Sequence, residues 1–180
     1  FLIHAAALSR PMSIHDKNIN KSIDINIIGT CNIVKICSKF KIKLIFFSTN
    51  YVYPSKSGIY KENDALLPRN TYAWSKLGAE SAVQMYKNSL ILRICMTEKP
   101  FVHKKAFANM KTNFMFQENL AKNIYKLINL KGIINIGGKV QSVYNFAKKH
   151  NTQVKKIFAS KSQQKYFPLN STMNISKFNK

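Results

Sequence analysis

Apolar and polar positions follow two rhythms along this chain. Lys43-Leu44-Ile45-Phe46-Phe47-Ser48 is a near-continuous apolar run, the pattern of a parallel strand covered on both faces. Phe1-Leu2-Ile3-His4 reads as a shorter buried strand that runs into three alanines, and Ser89 to Arg93 as a third strand. Between them the period lengthens. From Asp16 to Phe40, Ile19, Ile23, Ile27, Val34 and Cys37 recur mostly three, four or seven residues apart, which predicts a helix. Asn26, Gly29 and Thr30 interrupt it, and a buried Asn26 needs hydrogen-bond partners. Pro54 to Asn70 carries the Pro, Ser, Gly, Asn and Asp of a loop, and a helix follows from about Thr71 to Tyr86. Strand, helix, strand, helix, strand is an α/β signature.

Beyond Met96 the rhythm weakens. Lys99 to Phe116 reads as loop with short pieces, and Gln117 to Leu130 as helix. A short strand is expected from Gly132 to Gly138, then a helix capped by Ser142 and running through Lys149. Ile157 to Ser160 reads as a last short strand, and the tail from Phe167 as loosely ordered.

Composition narrows the class. The chain has 180 residues, 46% of them hydrophobic, enough for a domain with a real core. No apolar run reaches the ~20 residues of a membrane span, and no basic leader marks a signal peptide. The formal charge of +22 invites a polyanion partner. Yet only three of the 29 basic residues are Arg, the usual reader of bases and phosphates, and the Lys are scattered among Asn and Ile. An A+T-rich coding sequence gives that composition, so nucleic acid is not the expected partner. Cys31, Cys37 and Cys95 lack metal spacing and read as reduced, cytoplasmic thiols; the four His form no ligand motif, and no metal is expected.

The chemistry concentrates in Thr71-Tyr72-Ala73-Trp74-Ser75-Lys76-Leu77-Gly78-Ala79-Glu80. Spacing of four puts Tyr72 and Lys76 on one helical face. An ammonium beside a phenol favours the phenolate, so the two can act as a proton-transfer unit. Taken alone, the pair is a weak signal and more often describes an ordinary helix with a packed Tyr and a solvated Lys. Ser48 and Thr49 follow a parallel strand, where open α/β sheets bind ligands, or else cap a turn. Ala5-Ala6-Ala7 either lets a ligand approach the backbone or packs strand against helix.

Taken in order, these stretches resemble the extended short-chain dehydrogenase/reductase family, most of all its dTDP-4-dehydrorhamnose reductase-like, sugar-nucleotide-binding branch. The resemblance rests on His4-Ala5-Ala6-Ala7; Asn26 with Gly29-Thr30; Ser48-Thr49 before Tyr51-Val52-Tyr53; Tyr60-Lys61-Glu62-Asn63-Asp64 with Pro68; and Tyr72 to Glu80. Gly132 to Gly138, Ser142 to Ala147 and Phe167-Pro168-Leu169-Asn170-Ser171 also look like that group. It implies an α/β fold with a partial Rossmann-type parallel sheet, from the fourth strand onward, and a small carboxyl-terminal substrate-binding part. Residues 1–95 would be the later portion of the NAD(P)-binding domain. Residues 96–180 would be the substrate-binding region with interleaved Rossmann elements.

The same resemblance implies NAD(P)H-dependent reduction of a nucleotide-linked 4-keto sugar in the cytoplasm. Tyr72 would be the general acid. Lys76 would lower its pKa and hold the nicotinamide ribose. Thr49 would bind the substrate carbonyl, with Asn50 beside it. Ala5, Ala6 and Ala7 would contact the cofactor, and Asn26 would support the site. The family's Gly-rich phosphate-binding turn is absent, Asn50 stands where these reductases usually carry Asp, and Met96 stands where an aromatic is expected. The implied partner is a nucleotide-sugar substrate, with either a second copy of the chain or a missing amino-terminal segment. Two other readings stay open: an epimerase or dehydratase of the same fold, and a non-catalytic binding subunit or fragment.

Overall fold

The computed structural model describes residues 1–165 and 167–179. Its centre is a parallel sheet that begins with β1 (Leu2–His4), β2 (Leu44–Thr49) and β3 (Ser89–Ile94). Four short strands follow in the chain: β4 (Met96–Thr97), β5 (Lys105–Phe107), β6 (Lys111–Thr112) and β7 (Met115–Phe116). β8 (Gly132–Ile136) then rejoins the main sheet, and β9 (Gln141–Ser142) and β10 (Lys155–Ile157) stay outside it. The order is β1-β2-β3-β8, with every neighbour parallel.

Side-chain alternation sorts the sheet into two cores. Leu44, Phe46 and Ile91 face α3 (Gly29–Lys39) and α4 (Thr71–Gln84), where they meet Cys37, Ala79 and Val83. On the opposite face Ile45, Leu90, Leu92, Ile94, Ile134 and Ile136 pack with Met115, Leu120 and Leu127. Each such aliphatic contributes about 1.5–3 kcal/mol by burial, so these two layers are the main source of stability. A smaller unit lies beside them. There α6 (Val143–His150) covers the β5–β10 pair with Phe146 and Ala147 against Phe101, Ala106, Phe116 and Val154.

Several expectations need correction. The helix expected from Asp16 to Phe40 is broken into α1 (Ser13–Lys17), α2 (Ile19–Ser22), a π-helical segment Ile23–Ile28, and α3. Asn18 caps α2 by accepting from the Lys21 N–H, which separates α2 from α1. Lys99 to Phe116 is loop with short pieces, as expected, the pieces being β5, β6 and β7. Helix α5 spans only Gln117–Asn123 and passes into a 3-10 turn. The last strand is displaced to Lys155–Ile157, because its backbone pairs with β5 rather than following its own apolar residues.

β1 is not buried as a whole. Phe1 and Ile3 are exposed and only His4 is covered, since β1 pairs on one side alone. The tail is not loose: Ser171, Thr172 and Met173 are buried, and Tyr60 bridges to Met173. Ser142 does cap α6, accepting from the Asn145 N–H.

Candidate active site

The site gathers where β1 and β2 end and α4 begins. Asn70 starts α4 by accepting from the Ala73 N–H at 2.8 Å. That fixes the first turn, and helical spacing then lines up Tyr72, Lys76 and Glu80 on one face. From β2, Thr49 accepts the Tyr51 N–H at 3.3 Å and caps the short turn Asn50–Val52. Its own proton is free to face the Tyr72 phenol, whose pKa it lowers. Thr49 and Tyr72 are thereby brought together across elements distant in sequence.

Burial holds the Tyr72 phenol above its ordinary pKa; the Thr49 hydroxyl and the positive charge of Arg10 pull it back down. The expected downward pull of Lys76 is not what sets the phenol here. The Lys76 ammonium instead sits 4.2 Å from the centroid of the Phe46 ring, a cation–π contact, and is only 3% exposed. Burial lowers its pKa to about 8, with the Glu80 carboxylate acting in the opposite sense. At neutral pH it remains protonated by about ten to one.

Beneath Lys76 lies a sealed polar network. Glu80 Oε1 accepts from Arg93 Nη2 at 2.6 Å, and Glu80 Oε2 accepts from Ser48 Oγ at 2.6 Å. Arg93 Nη1 donates to the Tyr53 hydroxyl and to the Glu62 carbonyl. Ser48 is thus held by Glu80 and is not a free neighbour of Thr49. The Lys76–Glu80 spacing of four was the available signal for Glu80; nothing local marked Arg93 as its partner.

Asn26 lies in the π-helical segment, and every polar atom of its side chain is used. Oδ1 accepts from the Leu8 N–H, and Nδ2 donates to the Leu8 carbonyl and to Ser75 Oγ at 2.8 Å. It therefore ties the loop after β1 to α4. The wide turn places it there, as such turns often do near functional sites. Thr30 donates to the Asn26 carbonyl, so the contact between His4 Nε2 and Thr30 Oγ1 at 2.9 Å requires the proton on Nε2.

Ala5 and Ala6 are exposed and Ala7 is half-buried, leaving their backbone open beyond the carboxyl end of β1. Asn50 is placed differently from a free substrate contact. Its side-chain amide is buried and donates to Ser171 Oγ at 2.6 Å and to the Ser171 carbonyl at 3.2 Å. His15, which local reading passed over, packs its ring 5.2 Å from that of Tyr72. Among the described residues no cluster of His, Cys, Asp and Glu is suited to a metal, and no helix is long and apolar enough to cross a membrane.

Residues 1–118, which carry β1, β2, β3 and the whole Thr49–Tyr72–Lys76 arrangement, match the model of a family described as the RmlD substrate binding domain. The chain belongs to this family. Among RmlD-like folds, it superposes on a hypothetical dTDP-4-dehydrorhamnose reductase from Sulfolobus tokodaii with a TM-score of 0.86 at 24% identity, covering 98% of this chain and 71% of that one. A dTDP-4-dehydrorhamnose reductase from Bacillus anthracis, solved in complex with NADP, gives 0.85 at 22% identity, covering 98% and 72%. A UDP-glucuronic acid 4-epimerase from Bacillus cereus, in complex with UDP-glucuronic acid and NAD, gives 0.77 at 21%, covering 97% and 67%. These likenesses establish the Rossmann-type α/β fold.

Two curated relatives are similar in sequence. A dTDP-D-glucose 4,6-dehydratase of Dictyostelium discoideum is 33% identical over 111 residues, 53% of this chain and 25% of the relative. Methionine adenosyltransferase 2 subunit beta of Xenopus laevis is 31% identical over 94 residues, 52% and 28%. The matched stretch spans only about a quarter of either relative's length.

Proposed function

We propose that this chain carries the proton-transfer site of an NAD(P)H-dependent reductase acting on a nucleotide-linked 4-keto sugar. The observation that carries the reading is the Thr49 hydroxyl acting on the Tyr72 phenol, with the buried Lys76 ammonium one turn along the same helix. The nicotinamide end of the cofactor fits the residues present: Ala5–Ala7 leave backbone uncovered beyond β1, and Lys76 offers a poorly solvated cation for ribose hydroxyls. When bound, the cofactor supplies the hydride.

The chain's own residues supply position and the proton. Thr49 donates its hydroxyl toward the substrate oxygen or the Tyr72 oxygen. Tyr72 then gives its phenolic proton to the sugar oxygen as carbon is reduced. Burial keeps that phenol protonated until the transfer, the state required of an acid. The Thr49 hydroxyl and the positive charge of Arg10 then favour the phenolate left behind. Asn26 holds the loop and helix in register, and Asn50 shapes the substrate side by fixing the Ser171 segment. In this reading residues 1–95 form the cofactor-side domain, while residues 96–180 line the sugar and return β8 to the sheet.

The test is NAD(P)H oxidation with a dTDP-4-keto sugar by the parent and by Tyr72→Phe. We expect the variant to lose at least ~100-fold in rate. Equal activity would refute the mechanism. A second reading, an epimerase or dehydratase using the same Tyr and Lys, is favoured by the likeness to a dTDP-D-glucose 4,6-dehydratase. It predicts turnover of the sugar with no net consumption of NAD(P)H.

A further inference from the structure

His15 stands outside the residues assigned a role above, yet it is 1% exposed and packed on the proposed acid. Its Nδ1 lies 2.6 Å from Ser22 Oγ on α2. Its ring meets that of Tyr72 at 5.2 Å between centroids with 55° between planes. Nε2 has no hydrogen-bond partner, a condition it shares among the described buried side-chain atoms with Glu98 Oε2. The Ser9 backbone is near enough to favour a proton on the ring, but no contact of hydrogen-bond geometry reaches Nε2. A buried nitrogen left in this state costs about 1–3 kcal/mol. Phenylalanine would fill a similar space without that cost, so packing alone does not account for an imidazole here.

We propose that His15 is a positioning residue for Tyr72: the imidazole, anchored by Ser22, sets the tilt of the phenol ring and so keeps its hydroxyl turned toward Thr49. Its catalytic meaning rests on Tyr72 being the proton donor; the contact itself does not. The tyrosine ring is gripped from two sides, by His15 and by the edge-on ring of Tyr51 at 6.4 Å. Rotation of either support would carry the hydroxyl away from Thr49.

Protonation switches this support. Both nitrogens of an imidazolium donate, so Ser22 must then accept, and a full charge appears beside the phenol ring. The titratable groups facing His15 are Asp16 on its own helix and Tyr72 from α4; α2 presents only the Ser22 hydroxyl, and Arg10, in the preceding loop, acts on Tyr72. Burial holds the imidazole below its ordinary pKa, with Asp16 opposing, so the neutral form prevails at neutral pH.

The experiment is an NMR titration of the protein labelled with 13Cζ-tyrosine, with the Tyr72 signal identified by its loss in Tyr72→Phe. In the parent the Tyr72 signal is expected to shift with one inflection below the usual imidazole range. In folded His15→Phe that inflection is expected to vanish, while the thermal midpoint stays at or above the parent's. His15→Asn keeps a polar group for Ser22 without a titrating ring and gives the same readout should the Phe variant not fold. A Tyr72 signal that stays still in the folded parent, or that keeps the same inflection in either folded variant, overturns the proposal. Full activity of Tyr72→Phe would instead defeat the reductase reading and leave this coupling standing, so the two failures are separable.

Discussion

Arg93 and Glu80 form an ion pair shut off from water below the proposed site, with Arg93 Nη2 2.6 Å from Glu80 Oε1 and side chains 2% and 0% exposed. Glu80→Gln keeps the shape and removes the counter-charge. Leaving a buried guanidinium unpaired is expected to cost about 3–5 kcal/mol, read from urea denaturation. A loss below ~1 kcal/mol would mean that water reaches the pair. The same variant should push the Lys76 pKa below its present value of about 8, because Glu80 is what raises it.

Lys76 predicts a trade between stability and chemistry. Its pKa falls from the ordinary lysine value of about 10.5 in an open chain to about 8 in the fold. Between those values the unfolded chain holds a proton that the native one has released, so stability rises as pH climbs from about 8 to about 10.5. Lys76→Met should flatten that slope. It should also raise stability at pH 7, by on the order of 2 kcal/mol, while abolishing turnover. Thermal denaturation across that pH window tests both expectations; an unchanged slope would show the ammonium to be solvated.

Asn26→Ala removes three hydrogen bonds at once and leaves the Leu8 N–H and carbonyl without their partner. We expect a loss of about 2–4 kcal/mol, concentrated in the loop after β1. Hydrogen exchange should show the Leu8 amide unprotected while β2 and β3 stay closed. Uniform loss of protection would instead make Asn26 a global core residue.

Asn50→Asp restores the residue type common in the reductases this chain resembles, but its setting opposes the change. The Nδ2 donor to the Ser171 carbonyl would become a carboxylate oxygen facing that carbonyl. The variant is expected to lose about 1–3 kcal/mol at neutral pH. Burial and the carbonyl raise the new acid's pKa, so the loss should grow as pH rises through the carboxylate range. Pulse proteolysis of the segment around Ser171 provides the readout, and unchanged resistance would contradict the Asn50–Ser171 link.

Much of the fold was legible because its causes are local. The apolar runs before Thr49 and before Ile94 name β2 and β3 without reference to any partner. The Asn70 cap and the spacing from Tyr72 to Lys76 announce α4 and its active face. The expectation that Asp16 to Phe40 is one helix failed because Asn18 starts a new helix by capping the nearby Lys21 N–H, while the wide turn at Asn26 answers to Leu8 and Ser75 far along the chain.

By itself, then, the sequence determined an α/β domain, the places of its central strands, and a tyrosine and lysine on a common helical face. Only the tertiary structure decided which groups those residues meet. Glu80 finds Arg93 across 13 positions, Asn26 finds Ser75 across 49, and Asn50 finds Ser171 across 121. Such pairings carry no periodic mark, since a buried polar atom is satisfied by whatever the folded backbone brings within about 3 Å, not by its neighbours in order.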